Sequence, residues 1–111
     1  MAGEVFASGV ATAPSAGAAV ATMAAQPAGK YRIEVSCGVS GNAVADLANF
    51  RLRRGGVDLI AILPQGANGT AEQTILDEVD LDGTQNLTVE AIGAGTAAIE
   101  YTATIQALRI G

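Results

Sequence analysis

Residues 30–37 read Lys30-Tyr31-Arg32-Ile33-Glu34-Val35-Ser36-Cys37, and this stretch decides the fold. Apolar side chains occupy every second position from Tyr31 to Cys37, and polar or charged side chains occupy the positions between them. Successive side chains of a β-strand point to opposite faces of its sheet. This period of two therefore predicts a strand with one buried and one solvated face.

Turn residues divide the rest of the chain into pieces of similar length. Gly55-Gly56 suits a two-residue hairpin, because glycine accepts the positive φ angles that such a turn requires. Asp82-Gly83 and Gly93-Ala94-Gly95 are further turn signals. Strands are predicted over residues 18–24, 31–39, 49–53, 57–63, 73–81, 87–92 and 98–110, with a loop at 64–70 and either a loop or one helical turn at 43–48.

About seven or eight short strands joined by turns are typical of an antiparallel β-sandwich or jelly roll. We therefore expect an all-β fold. The predicted strand at residues 57–63 carries apolar side chains on both faces. Such a pattern favours either a position in the middle of a sheet or coverage by another subunit.

The N-terminal residues differ in composition from the rest of the chain. Residues 1–17 are rich in Ala and Gly and are expected to form an extended arm, with residues 18–111 forming the sandwich domain. Residues 16–25 include strong helix formers, so a helix is the alternative. Val20 and Met23 are too few anchors to hold a helix on a core, which favours an extended arm followed by a strand. The first dozen residues are expected to become ordered only against a neighbouring molecule.

The composition indicates an assembly component. The 111 residues suffice for one domain, and 50% are hydrophobic while 15% are charged, against about 25% in an average protein. Apolar surface left exposed by such a chain favours a homo-oligomer or a larger assembly. The net charge of −5 argues against nucleic acid and anionic membranes as partners.

The N-terminus and the single cysteine indicate the cellular compartment in which the protein is made. Glu4 stands where a secretory signal would carry Lys or Arg, and no apolar run is long enough for a membrane helix. We expect a protein made in a reducing cytoplasm, without a membrane partner. Cys37 lies on the apolar face of its strand and is expected to be a small buried hydrophobe, with a reactive or intermolecular thiol as the alternative.

Residues that perform catalysis are scarce. The chain contains no His and no Trp, and we expect no enzymatic activity, no cofactor and no metal. The acidic segment is the one candidate for a calcium site, because Glu78, Asp80, Asp82 and Gly83 fit the start of a calcium loop. The twelfth position of that loop is Val89, which cannot ligate calcium, so an exposed strand face is the favoured interpretation.

Basic residues are concentrated in one segment. Arg51, Arg53 and Arg54 precede the Gly55-Gly56 turn, and Lys30 and Arg32 could lie on a nearby strand. Two interpretations stay open. The arginines either form the solvated outer face of a hairpin or dock onto an acidic protein surface, since Arg pairs carboxylates bidentately and is enriched at interfaces.

The order of strands and turns resembles that of small β-rich virion proteins of tailed bacteriophages, including jelly-roll decoration (cement) proteins of the capsid. The resemblance is carried by turn spacing and composition in the segments Pro27–Val35, Asn49–Gly56, Leu81–Gly83, Leu87–Val89 and Ala94–Ala97. It implies a structural protein, made in the bacterial host cytoplasm, that binds the outer surface of the phage head as a dimer or trimer. The major capsid protein would be its partner, and the protein would stabilise contacts between capsid subunits.

The resemblance assigns no binding residue, so the candidates rest on physical grounds. We expect the partner to contact the apolar residues of the arm and the arginines of the hairpin, namely Val5, Phe6, Val10, Arg51, Arg53 and Arg54. The alternatives are another virion module, such as a tail, fibre or head-completion part, and a small ligand-binding sandwich. The low aromatic content of 4% disfavours a sugar-binding module.

Overall fold

The computed structural model describes residues 4–12, 16–40, 49–64, 71–92 and 100–111. These residues form eight strands. The strands are β1 (Glu4–Thr12), β2 (Ala19–Met23), β3 (Gly29–Ser40), β4 (Phe50–Arg54), β5 (Val57–Leu63), β6 (Ala71–Leu81), β7 (Leu87–Ala91) and β8 (Glu100–Arg109). They build two four-stranded antiparallel sheets, sheet A with the order β1-β8-β3-β6 and sheet B with the order β2-β7-β4-β5. The predicted all-β sandwich is confirmed.

The core lies between the two sheets. In β3 the side chains of Tyr31, Ile33, Val35 and Cys37 are all buried, which confirms the period of two read from the sequence. Phe50 of sheet B packs on the ring of Tyr101 of sheet A, with centroids 5.5 Å apart and planes tilted by 55°. Tilted aromatic pairs of this kind stabilise a core beyond the area they bury.

The N-terminal residues are extended, but they lie in the sheet of their own chain. β1 pairs with β8 from Glu4 opposite Leu108 to Thr12 opposite Glu100. For residues 4–12, the expectation that they become ordered only against a neighbour is therefore wrong, because the edge of β8 supplies their backbone partners. The predicted boundary between an arm and the domain at residue 17 stays a prediction.

A glycine lets β1 lie directly against the opposite sheet. A Cβ atom at Gly9 would overlap the carbonyl oxygen of Val20 in β2. The side chains of Val5, Ala7 and Ala11 pack against the core from the same strand. β1 is thus held both by pairing to β8 and by contact with β2.

β5 lies at the edge of sheet B. Its residues Val57 and Ile62 are 64% and 67% exposed. The mid-sheet interpretation of its two apolar faces is therefore wrong, and coverage by another subunit stays a prediction. The strand bounds were predicted correctly here, since β5 spans 57–63 as expected.

The hairpin that joins β4 to β5 has the predicted turn chemistry, with φ angles of 58° at Gly55 and 83° at Gly56. Other predictions lie outside the described residues. These are the loop or helical turn at 43–48, most of the loop at 64–70, and the turn at 93–95.

Candidate functional site

The outer face of sheet A brings together side chains from all four strands. Antiparallel pairing sets them in rows, because residues directly opposite each other share a face. The rows are Phe6–Gln106–Glu34–Ile75, Ser8–Thr104–Ser36–Gln73 and Val10–Thr102–Gly38–Ala71. Most side chains in the middle of this face, on β8 and β3, are polar. Large apolar side chains stand at its two margins, on β1 and on β6.

A shallow groove runs across this face. Its volume is about 230 Å³, and it is lined by Phe6, Glu34, Ser36, Gln73, Thr104 and Gln106. The lining combines one aromatic ring with hydroxyl, amide and carboxylate groups. Such a set can stack on a ligand and exchange hydrogen bonds with it.

The backbone beneath the groove is well fixed. β8 pairs with β3 without a register shift from Tyr31 opposite Arg109 to Ser40 opposite Glu100. The hydroxyl of Thr102 also donates a hydrogen bond to the carbonyl of Gly38 across the two strands, at 3.2 Å. The groove therefore rests on a rigid sheet rather than on loops.

The apolar residues predicted to bind a partner divide between the two faces of β1. Phe6 and Val10 point outward and are 62% and 61% exposed. Val5 instead packs against the core. Phe6 and Val10 thus form an exposed apolar margin beside the groove, and their role in binding stays a prediction.

The hairpin arginines lie in β4, on sheet B, and carboxylates or carbonyls of the same chain hold them. Arg51 donates a hydrogen bond from Nε to Oε1 of Glu90 at 2.8 Å, and its Nη2 lies 2.7 Å from the same oxygen. Arg53 pairs with Asp58 at 3.0 Å and lies 3.7 Å from Glu90, and its Nη2 donates to the carbonyl of Gly56. This part of sheet B is a network of balanced charges rather than an open cationic patch.

The remaining basic residues do not join that network. Arg54 turns toward the end of sheet A, where Nη1 donates to the carbonyl of Asp80 at 2.8 Å. Lys30 and Arg32 belong to β3, in the other sheet. The predicted basic residues are thus distributed over both sheets, and docking of the arginines on a partner stays a prediction.

The acidic segment is occupied by contacts within the chain. Asp80 and Glu78 lie 3.5 and 3.4 Å from Nζ of Lys30, and together they raise the pKa of that amine. Asp82 accepts hydrogen bonds from the backbone and hydroxyl of Thr84, at 2.8 and 2.7 Å, which lowers the pKa of its carboxyl. Within the described ranges, no three His, Cys, Asp or Glu residues group as metal ligands would.

Cys37 is buried in β3, as predicted. Burial disfavours the charged thiolate and raises the pKa of the thiol to about 12. Because the thiolate is the reactive form, this cysteine is a poor nucleophile at neutral pH.

Sequence reasoning missed the groove, although three of its four strands, β3, β6 and β8, were predicted. Glu34 and Ser36 were recognised as outward residues of one strand, but Gln73, Thr104 and Gln106 come from strands far away along the chain. The alternation of each strand shows which residues face outward. Only the strand order, with β8 between β1 and β3, shows that they meet.

Three solved structures are similar to this chain in fold. PRD1 vertex protein P5 is 17% identical with a TM-score of 0.53, over 96% of both chains. The sugar-binding EclA C-terminal domain is 14% identical with a TM-score of 0.58, over 95% of this chain and 78% of that one. The Podospora anserina GH26-CBM35 β-(1,4)-mannanase is 10% identical with a TM-score of 0.51, over 98% of this chain and 28% of that one.

These likenesses show a small β-sandwich fold and nothing finer. No family model matches the chain, and no curated protein is similar to it. The part of the chain that the structure describes holds no helix long and apolar enough to cross a membrane.

Proposed function

We propose that this chain is a structural protein of a tailed-phage particle, which binds the outer surface of the head and stabilises contacts between major capsid subunits. One observation carries the proposal. An edge strand with almost no charge, β1, presents Phe6 and Val10 to solvent at more than half of their full exposure. Exposed apolar side chains on a strand edge are typical of surfaces that other polypeptides cover.

The fold comparison supports the same role. PRD1 vertex protein P5 is a virion protein by its name, and the likeness extends over 96% of both chains. The groove of sheet A sets hydroxyl, amide and carboxylate groups beside an aromatic ring, a set that suits a binding role. Many copies on one particle would give avidity even when each contact is weak.

Two measurements test this proposal. Quantitative mass spectrometry of purified particles, from cells that make this protein, should find it in hundreds of copies per head, as expected for a decoration protein. Purified protein should also bind expanded heads and raise their melting temperature. Absence from the particles would overturn the structural role, and a dozen copies or fewer would favour a tail, fibre or head-completion part.

Point variants locate the contact on the head. Phe6→Glu and Val10→Glu should each weaken binding to heads at least tenfold, since they place a charge in an apolar contact. Thr22→Glu is the matched control, because Thr22 is an exposed strand residue on sheet B. If all three variants bind equally well, β1 is not the contact.

Sugar binding is the second candidate, favoured by the groove on sheet A. Its hydroxyl, amide and carboxylate groups around Phe6 suit a polyhydroxylated ligand, and the EclA domain of similar fold is described as sugar-binding. A glycan array should then show a ligand whose affinity falls at least tenfold in Gln73→Ala and is unchanged in Thr22→Ala. An array without a hit would exclude this candidate.

A further inference from the structure

The four edge strands of the sandwich differ in how well they are protected from pairing with another chain. β6 carries four carboxylates and a register shift against β3; its acidic residues are Glu72, Asp77, Glu78 and Asp80. β5 is shifted twice in its register against β4. β2 has five residues and one shift against β7. Charges, bulges and short length are the devices by which natural sheets keep their edges from pairing.

β1 is neither short nor bulged, and its one charge, Glu4, stands at its first residue. It is nine residues long, and it pairs with β8 without a register shift. From Val5 to Ala11 it contains no charge and no proline. Among the strands that the structure describes, none pairs with the other edge of β1. A long, regular and uncharged edge of this kind is a template for strand addition.

The sequence of β1 is complementary to itself about Ser8. We propose that two copies of this chain pair through β1, antiparallel across a two-fold axis at Ser8, to join their A sheets into one continuous sheet. In this register, Phe6 of each copy lies directly opposite Val10 of the other copy. The dimer therefore contains two Phe6–Val10 pairs. These are the two large exposed apolar residues of the strand, and they stand on the same face.

The pairing improves the surroundings of both side chains. Within one chain, Phe6 lies opposite Gln106 and Val10 lies opposite Thr102, both polar. In the dimer each gains an apolar cross-strand neighbour, and aromatic–β-branched pairs contribute about 0.2–1 kcal/mol each. A two-fold contact uses the same patch on both copies, as this strand allows.

Charge does not oppose the register. Glu4, at the start of β1, falls opposite Thr12, so no two like charges meet. On the face of β1 that points to the core, Val5 falls opposite Ala11 of the second copy, and Ala7 falls opposite Gly9. All of these residues are small enough for the two strands to approach closely. A shift by two residues in either direction would instead separate Phe6 from Val10.

The dimer is expected to be weak in solution. The contact uses nine residues of each copy, whereas a stable interface uses about 20–30 a side. A dissociation constant of roughly 10–100 µM is in keeping with such a contact. The same edge carries the proposed contact with the phage head, but the dimer is measured on the isolated chain, so failure of the pairing and failure of head binding are distinguishable.

Sedimentation velocity of the full chain tests the pairing, at concentrations from roughly 1 to 500 µM around the expected dissociation constant. The wild-type chain should dimerise over this range. Phe6→Lys and Val10→Glu should each weaken the dimer at least tenfold, because each places an unpaired charge opposite an apolar side chain. Both positions are exposed, so both variants should keep the wild-type circular dichroism spectrum and melting temperature.

The double variant Phe6→Lys/Val10→Glu tests the register. It places opposite charges directly across from each other in both pairs, so dimerisation should recover at least partly over either single variant. Ile62→Lys is the matched control, since Ile62 is equally exposed but lies on the bulged edge of β5, and it should leave the dimer unchanged.

Three outcomes would overturn the proposal. A wild-type chain that stays monomeric at the highest concentration would show that β1 does not pair with itself and would leave the edge for a strand of another protein. Loss of the dimer in Ile62→Lys, but not in the β1 variants, would place the interface on β5. Failure of the double variant to recover would exclude the two-fold register at Ser8.

Discussion

At position 9, the absence of a side chain lets β1 lie against β2. A Cβ there would overlap a backbone carbonyl, that of Val20, which cannot move aside as a flexible side chain would. Gly9→Ala should therefore lift β1 from β2 and lower the free energy of unfolding by about 1–3 kcal/mol. Urea unfolding measures the loss, and hydrogen exchange should show faster exchange in β1.

Ser8→Ala is the control for this change, because Ser8 points outward from the same strand and its substitution meets no backbone. It should alter stability by less than about 0.5 kcal/mol. Equal stability of Gly9→Ala and the wild-type chain would show that β1 can be displaced from β2 at no cost.

Cys37 makes stability depend on pH in the alkaline range. Burial raises its pKa to about 12 in the folded chain, above the ordinary thiol value of 9.0. An elevated pKa in the folded state contributes stability that is fully present below pH 9 and is lost as the pH rises toward 12. The stability advantage of the wild-type chain over Cys37→Ala should therefore shrink between pH 7 and pH 10.

Urea unfolding of both proteins at the two pH values measures this difference. Every other titratable group is common to both proteins, so its contribution cancels in the comparison. An advantage that stays constant from pH 7 to pH 10 would mean that the thiol of Cys37 is not desolvated.

At the scale of the strands, Glu90 holds β7 to β4 on the outer face of sheet B. Its side chain is 15% exposed, and its Oε1 accepts a hydrogen bond from Nε of Arg51. Nη2 of Arg51 lies 2.7 Å from the same oxygen, and the arginine side chain is 28% exposed. Glu90→Gln should lower the free energy of unfolding by about 1–3 kcal/mol, because a shielded charge-assisted pair is lost while the arginine stays charged.

Glu78→Gln is the matched control. Glu78 also pairs with a cation, Lys30, but its side chain is 65% exposed. Solvent screens such a pair, so its loss should lower the free energy of unfolding much less than Glu90→Gln does. If the two variants are equally stable in urea, the Glu90 network contributes no more than a surface ion pair.

Strands were predictable where local pattern and packing agree. β3 alternates clearly, and β5 has turn residues at both ends, so the predicted bounds lie close to those observed. β1 lacks such a signal, because Ala7, Gly9 and Ala11 on its inner face are small and give no alternation of large apolar residues. Its place in the sheet depends on the edge of β8, about a hundred residues away, and on contact with β2.

The candidate surface was predictable only in part. Phe6 and Val10 were nominated from the sequence, and the structure places both on an exposed edge. The inward direction of Val5 and the pairing of Arg51 with Glu90 were not foreseen, since both depend on which strands are neighbours. Strand order is a property of the whole chain, and an alternating pattern within one strand does not contain it.

At the scale of the whole molecule, pairing through β1 predicts a defined change in size. The single chain has a radius of gyration of 13.7 Å. Joining two A sheets edge to edge separates the centres of the copies by about four strand spacings, or about 19 Å, which raises the radius of gyration to about 17 Å. Small-angle X-ray scattering of the wild-type chain should approach this value as concentration rises.

Phe6→Lys should keep the radius of gyration of the single chain over the same concentrations, because it removes the apolar pairs without altering the fold. A dimer with the sandwiches stacked face to face would have a similar radius, since the molecule is 22 × 18 Å across its two shorter axes. The response to Phe6→Lys, and not the radius alone, therefore assigns the contact to β1. A dimer that Phe6→Lys leaves intact would assign the association to a surface other than β1.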